Sequence, residues 1–316
     1  MRDCISIMEE ALAGLSRGEA VLPLRTIARV PDQPNFFAVM PACTANPPAI
    51  GVKAITVFPG NHGTRFDSHQ GAVLLFEPVH GCLEAIMDAT SITAIRTAAV
   101  SAVATRLLAR ADARVLAILG SGTQARVHVE AIPLVRDIAA VHIWSRSDAN
   151  ARALADYATA SFGLSCRVFP TAEAAVREAD VVCTVTSSQV PVLEGAWLRP
   201  GTHVNAVGTA TPNAREVDTQ AIRRARLYVD RRESGLREPG DIIIPIAEGA
   251  ITADHLVGEI GEVLTGKVAG RRDAGEITLF KSLGLAVEDV AAARYIAERA
   301  AAEGAGVEVQ LGGARE

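Results

Sequence analysis

Two groups of residues in this 316-residue chain have types and spacing that could do chemistry. The first is Gly120-Ser121-Gly122-Thr123-Gln124-Ala125, which follows the apolar run Val115–Leu119 and precedes a helical pattern. A strand, a tight glycine turn and a helix can together hold a dinucleotide pyrophosphate. Gly120 permits the turn, Gly122 lets backbone N–H groups reach the phosphates, and Ala125 lets the helix pack close to the strand. The next strand of that unit ends in Trp144-Ser145-Arg146-Ser147. An NAD binder usually carries an acid there, accepting from the ribose 2′-hydroxyl. A hydroxyl and a guanidinium instead suit a 2′-phosphate, so NADP(H) is expected ahead of NAD(H), which stays possible. An ordinary surface arginine is the plain alternative for Arg146. The second group is cationic. In "AIGVKAITVF" the period-2 alternation puts Lys53 on one face with Ile55 and Val57. An ammonium among apolar neighbours is costly unless it meets an anion or works chemically, the alternative being a solvated sheet edge. Arg96, in "TAIRT", is an isolated charge in a stretch of small apolar residues.

These residues need elements to position them. Residues 5–16 have helical periodicity, and strand-like segments follow at 24–30, 36–42, 50–58, 72–77 and 82–88. The clusters "PDQPN", "TANPP", "PGNHGTRFDSHQG" and "PVHG" separate them as turns, which predicts a mostly antiparallel sheet. Residues 91–110 start with a Ser/Thr cap and run as a long alanine-rich helix. From 114 the texture alternates. Strands are expected at 114–119, 140–145, 166–169, 181–185, 203–207, 226–229 and 277–280. Helices are expected at 123–136, 148–161, 172–178 and 214–224, with Asp148 capping the second. That is an α/β fold, a Rossmann doubly wound parallel sheet beside an N-terminal α+β domain. Residues 231–273 are rich in charge and glycine and can be placed only loosely, and a second long helix ends the chain. The domains expected are 1–112, completed by the C-terminal segment 283–316, and 113–282.

Composition narrows the class. Nearly half the residues are apolar (49%), enough for a large core, and the net charge of −5 comes without a Lys/Arg run. This argues against nucleic acid or an anionic membrane as the main partner. No apolar run approaches the roughly 18 residues of a membrane span. "MRDCISIMEEALAGL" carries Glu9 and Glu10 where a signal peptide needs its apolar core. Five scattered cysteines without C-x-x-C spacing read as reduced, buried thiols of a cytoplasmic protein. The seven histidines, His62, His69, His80, His128, His142, His203 and His255, show no ligand spacing, so no metal is expected. His142 reads as a packed strand residue.

The segments "GVKAITVFPGN", "HQGAVLLFEPVHG", "TAIRTAAVSAVATRLLAR", "GSGTQA", "WSRS" and "FKSLGLAVEDVAAA" occur in this order. Together, over essentially the whole chain, they resemble the ornithine cyclodeaminase/mu-crystallin family, which includes cyclic ketimine reductases and archaeal-type alanine dehydrogenases. The resemblance implies a substrate and dimerisation domain plus a Rossmann domain, and a homodimer formed by pairing the N-terminal sheets. It makes Lys53 the active-site lysine, Arg25 in "LPLRT" the holder of the substrate carboxylate, and Arg96 an arginine near both substrate and cofactor. It adds Met40 on the substrate side. Thr97, Thr184, Thr186, Gly208 and Ser282 join the turn residues and Ser145, Arg146 and Ser147 on the cofactor side. Three cations around one pocket suit a small carboxylate, paired by arginine.

Two departures matter. The cyclodeaminase branch has a catalytic aspartate where "NAVGTATPNARE" has Ala210, and a glutamate where "FFAVMP" has Ala38. The leading expectation is therefore an NADPH-dependent reductase of a small cyclic or linear α-imino acid, such as Δ1-pyrroline-2-carboxylate. Carboxylate binding falls to Arg25 and Arg96, and hydrogen bonding or proton relay to Lys53. The alternatives are an ornithine cyclodeaminase with a retained NAD, and a mu-crystallin-like protein that binds NADPH and a small ligand without turnover.

Overall fold

A computed structural model of the chain describes residues 1–61 and 63–310. His62, one of the histidines weighed as metal ligands, and residues 311–316 of the C-terminal segment lie outside them. Two compact units divide the chain. Residues 6–96 and the segment from Leu285 onward form one, and Met1–Ile5 with Thr97–Gly284 form the other. The division falls between Arg96 and Thr97, inside a helix, where the sequence pattern suggests a boundary after that helix, at 112.

The first unit starts with α1 (Arg2–Arg17) and continues through β1 (Ala20–Val21), β2 (Thr26–Arg29), β3 (Phe36–Ala45), β4 (Pro48–Val57), β5 (His69–Phe76) and β6 (Leu83–Asp88). Every pairing is antiparallel, in the order β1-β3-β4-β5-β6, with β2 on the other half of β3. The short β1 was not legible, because two residues carry no period. The helix α2 (Ala89–Leu108) follows. Its first turn is capped by Asp88, whose carboxylate accepts from the N–H groups of Thr90 (3.1 Å) and Ser91 (2.8 Å). The expected Ser/Thr cap is thus corrected, since the acid one turn earlier takes those donors.

The second unit runs β7 (Val115–Leu119), α3 (Thr123–Ala131), β8 (Ala140–Trp144), α4 (Asp148–Phe162), β9 (Cys166–Val168), α5 (Ala172–Val176), β10 (Val181–Thr184) and β11 (His203–Ala206). It continues with α6 (Thr219–Arg224), β12 (Ala225–Val229), α7 (Arg232–Gly235), α8 (Gly240–Ala247), β13 (Leu256–Glu259), α9 (Ile260–Leu264) and β14 (Ile277–Lys281). All its strands are parallel, in the order β13-β12-β14-β11-β10-β7-β8-β9. The chain winds outward from β7 to β9 and then returns to β10, so the topological switch point lies between β7 and β10. In such sheets ligands bind beyond the carboxyl ends of the strands at that point. The loosely placed stretch 231–273 contains α7 to α9 and the unforeseen strand β13. That strand is only four residues long and includes Gly258, too short a run to show a period. Helix α6 is shorter than the expected 214–224: it starts where the Asp218 carboxylate accepts from Ala221 N–H at 2.7 Å.

The last helix, α10 (Ala286–Glu303), packs across β3, β4 and β5 of the first unit. It comes so close that a Cβ on Gly51 would stand 2.8 Å from Val290 Cγ2. The sheet's other face keeps apolar groups in solvent, with Phe37 41%, Ile50 37% and Ile86 59% exposed. All the cysteines are free thiols, but only Cys183 is buried and Cys43 is exposed, correcting the expectation of buried thiols. His142 is a packed strand residue, its Nδ1 3.0 Å from the Ala175 carbonyl and its ring against Phe169.

Candidate active site

The sheet unit assembles a buried charge cluster. Lys53 on β4 lies directly opposite Met40 on β3, so both side chains share the face that α10 covers. They are 2% and 5% exposed. Lys53 Nζ stands 3.1 Å from Asp289 Oδ1 and 3.3 Å from Oδ2. Arg96 donates from Nε to the same Asp289 Oδ1 at 3.0 Å and from Nη1 to Glu288 Oε2 at 2.7 Å. Glu288 and Asp289 are fully buried in the first turn of α10, where the helix dipole favours negative charge. Arg25, half-buried just before β2, contributes its positive field to Lys53. Two buried cations, Lys53 and Arg96, thus share the Asp289 carboxylate, and Glu288 takes the other end of Arg96. Burial draws the Lys53 ammonium down to about 8, and the Arg96 and Arg25 charges act the same way, while Asp289 opposes them. A lysine so tuned can give up a proton near neutral pH.

Asp289 and Glu288 were not singled out from the sequence. They stand in "AVEDVAAA", where two acids in a first helical turn are ordinary. The available signal was their company, for Val287, Val290 and Ala293 around them are all fully buried. Ala38, two residues from Met40 on the same sheet face, is itself buried at 2% exposure. A glutamate there would have joined the cluster.

The second unit holds the glycine turn at the end of β7. Gly120 has φ 130°, a region closed to most side chains, and a Cβ on it would meet the Val185 carbonyl at 2.7 Å. Gly122 is the extended N-cap of the nine-residue α3, caps it with no side chain, and has open space where its Cβ would be. The amide oxygen of Gln124 is buried without a partner among the described residues. Uncapped N–H groups beside open space fit a dinucleotide pyrophosphate. Ala125 is fully buried, as close helix–strand packing requires.

The ribose-side residues differ among themselves. Ser145 Oγ is 2.8 Å from Ser121 Oγ, which ties the end of β8 to the turn. Arg146 is exposed. Ser147 accepts from Asn150 N–H at 3.3 Å and caps α4, so the cap expected of Asp148 belongs to its neighbour. Asp148 pairs instead with Arg152. Thr184 and Thr186 lie at the carboxyl end of β10, and both hydroxyls donate to Glu216, at 2.8 and 2.7 Å. Gly208 is exposed after β11, Ser282 is buried after β14, and Thr97 is buried in α2. Among the described residues no group of three His, Cys, Asp or Glu side chains is placed to hold a metal ion, and no helix is long and apolar enough to cross a membrane.

An open glycine turn on a doubly wound parallel sheet defines a Rossmann-type dinucleotide fold. The chain belongs to the ornithine cyclodeaminase/mu-crystallin family, whose profile matches residues 1–304. It is 41% identical over 292 residues to the ketimine reductase mu-crystallin of Mus musculus, covering 92% of this chain and 89% of that protein. Among solved structures it matches Thermococcus litoralis Δ1-pyrroline-2-carboxylate reductase in complex with NADH and L-proline. The TM-score is 0.96 at 38% identity, over 98% of this chain and 96% of that one. An archaeal alanine dehydrogenase dimer with bound NAD matches with a TM-score of 0.93 at 32% identity, over 98% and 95%.

Proposed function

We propose that the protein is an NADPH-dependent reductase of small cyclic or linear α-imino acids, with Δ1-pyrroline-2-carboxylate as the type substrate and an L-amino acid as product. The observation that carries this reading is the buried Lys53–Asp289–Arg96 cluster, which gathers cationic side chains away from solvent. Arg25 and Arg96 hold the substrate carboxylate. The nicotinamide, when bound, supplies the hydride that reduces the imine carbon. Lys53 gives the proton that the imine nitrogen takes up and is left as the neutral amine, and Asp289 orients the ammonium beforehand. Met40 and the covering helix keep the cluster out of bulk water, so its charges act at full strength. The similar reductases of mouse and Thermococcus litoralis support the reading. Cyclodeamination of ornithine needs two further acids, and alanines stand at 38 and 210.

The finer parts follow from other observations. The 2′-phosphate of NADPH is read by Arg146, which is exposed beside Ser145 at the end of β8 and so open to an anion. A homodimer covers the apolar outer face of the first unit's sheet, in keeping with the dimeric alanine dehydrogenase of the same family fold. Free thiols suit a reducing cytoplasm. The test of the reaction is a panel of cyclic and linear imino acids with NADPH and NADH, read by loss of reduced-nicotinamide absorbance. Consumption with pyrroline- or piperideine-2-carboxylate supports it, and inertness toward every imino acid rejects it.

A further inference from the structure

Glu216 is a fully buried carboxylate at the carboxyl ends of strands β10 and β11, outside the substrate cluster. Its Oε2 accepts from Thr184 Oγ1 at 2.8 Å and from Gly208 N–H at 2.6 Å. Its Oε1 accepts from Thr186 N–H at 2.6 Å and Thr186 Oγ1 at 2.7 Å. Four donors from two separate segments fill both of its oxygens and oppose the burial that pushes the carboxyl upward. The Glu216 backbone is held in turn. Its N–H and that of Val217 donate to Asp241 Oδ1 at 2.7 and 3.1 Å. Asp241 Oδ2 takes the Thr209 hydroxyl at 2.9 Å and stands 2.9 Å from the Lys281 ammonium, at the end of β14. The carboxyl ends of β10, β11 and β14 are therefore tied into one buried network.

That network reaches the glycine turn through backbone contact. Val185, between the two clamped threonines, has the carbonyl on which Gly120 rests, so closely that only a glycine fits. On the other side, a Cβ on Gly208 would come within 2.0 Å of the Thr186 carbonyl and 2.5 Å of Glu216 Oε1. Both glycines that press on the 184–186 segment thus depend on where Glu216 holds it. Removing this carboxylate would leave four donors without an acceptor, so their segments would have to move. The segments it holds lie at the carboxyl ends of the strands, where such sheets bind their ligands.

We propose that Glu216 is a positioning residue for the nicotinamide dinucleotide: it sets the 184–186 and 208 segments, and through Val185 the Gly120 turn, without touching the nucleotide itself. This rests on the reading of the protein as a nicotinamide-nucleotide enzyme. The test is NADPH binding to the whole chain, followed by nicotinamide fluorescence without substrate, together with the split between KM for nucleotide and KM for imino acid. In Glu216→Gln an amide NH₂ faces two of the four donors, and the displaced loops should weaken NADPH binding about ten- to hundredfold. KM for the imino acid should stay near wild type. Glu216→Asp keeps the carboxylate but cannot reach all four donors, and should weaken binding by about threefold or more. It decides the matter if Glu216→Gln does not fold. Folded variants that bind NADPH as wild type does, whatever their melting temperature, would overturn the proposal. A wild-type chain that binds no nicotinamide nucleotide would instead overturn the functional reading on which it rests.

Discussion

Lys53 and Asp289 are separated by 236 positions in the chain and meet with Nζ 3.1 Å from Oδ1, both closed off from solvent. The pair gives the lysine an anion to neutralise it, and the burial that surrounds it brings its proton within reach of catalysis. Since the ammonium sits at about 8, the proton donor is present below that pH and absent above it. kcat/KM for imine reduction should therefore fall as pH rises through about 8. Asp289 is the charge that holds the lysine up. In Asp289→Asn the falling limb should shift to lower pH, and an unmoved limb in a pH-rate profile would show that Lys53 does not carry the proton.

Replacing Lys53 itself with methionine removes the donor while filling its space among apolar neighbours. Imine reduction should drop by about 10²–10⁴-fold. NADPH affinity, measured by fluorescence, should stay within a fewfold of wild type, because the glycine turn belongs to the other unit. Loss of nucleotide binding together with activity would place Lys53 on the cofactor side.

How far the sequence spoke is best seen from these same residues. Lys53 was legible because alternation along one strand is local, and the glycine turn because its whole context lies within about twenty residues. Asp289 was not, because its meaning comes from a helix at the far end of the chain laid across β3, β4 and β5. Glu216 was hidden likewise: nothing in "NAREVD" says that both of its oxygens face two loops. Caps slipped, by a turn from the expected Ser/Thr to Asp88 and by one position from Asp148 to Ser147, because nearby polar residues compete for the same donors and only geometry decides. The strand β13 was lost for want of a run long enough to show a period.

Arg146 offers the direct test of cofactor choice. Arg146→Asp puts an acceptor for a ribose 2′-hydroxyl where a 2′-phosphate partner stood. The ratio of NADPH to NADH affinity should fall by about ten- to hundredfold, as loss of a charge-assisted contact of about 1–3 kcal/mol implies. A wild type that prefers NADH, with a ratio untouched by the substitution, would reject the assignment.

The outer sheet face predicts assembly. Phe37, Ile50 and Ile86 lie on the face opposite α10 and are exposed in the single chain, a combination that marks an interaction surface. Light scattering at micromolar concentration should give the mass of two chains, and Phe37→Asp with Ile50→Asp should reduce it to one. A monodisperse monomer in the wild type would remove the dimer from the account.

The central claim is that the buried cluster reduces imines and does not release ammonia. Pyrroline-2-carboxylate with NADPH and ornithine with NAD, run side by side with nicotinamide absorbance, proline and ammonia all followed, test it most directly. The account predicts one NADPH consumed for each proline formed from the imine, and little proline or ammonia from ornithine. Rapid ammonia release from ornithine with no net change in the nicotinamide would contradict it and make the protein a cyclodeaminase.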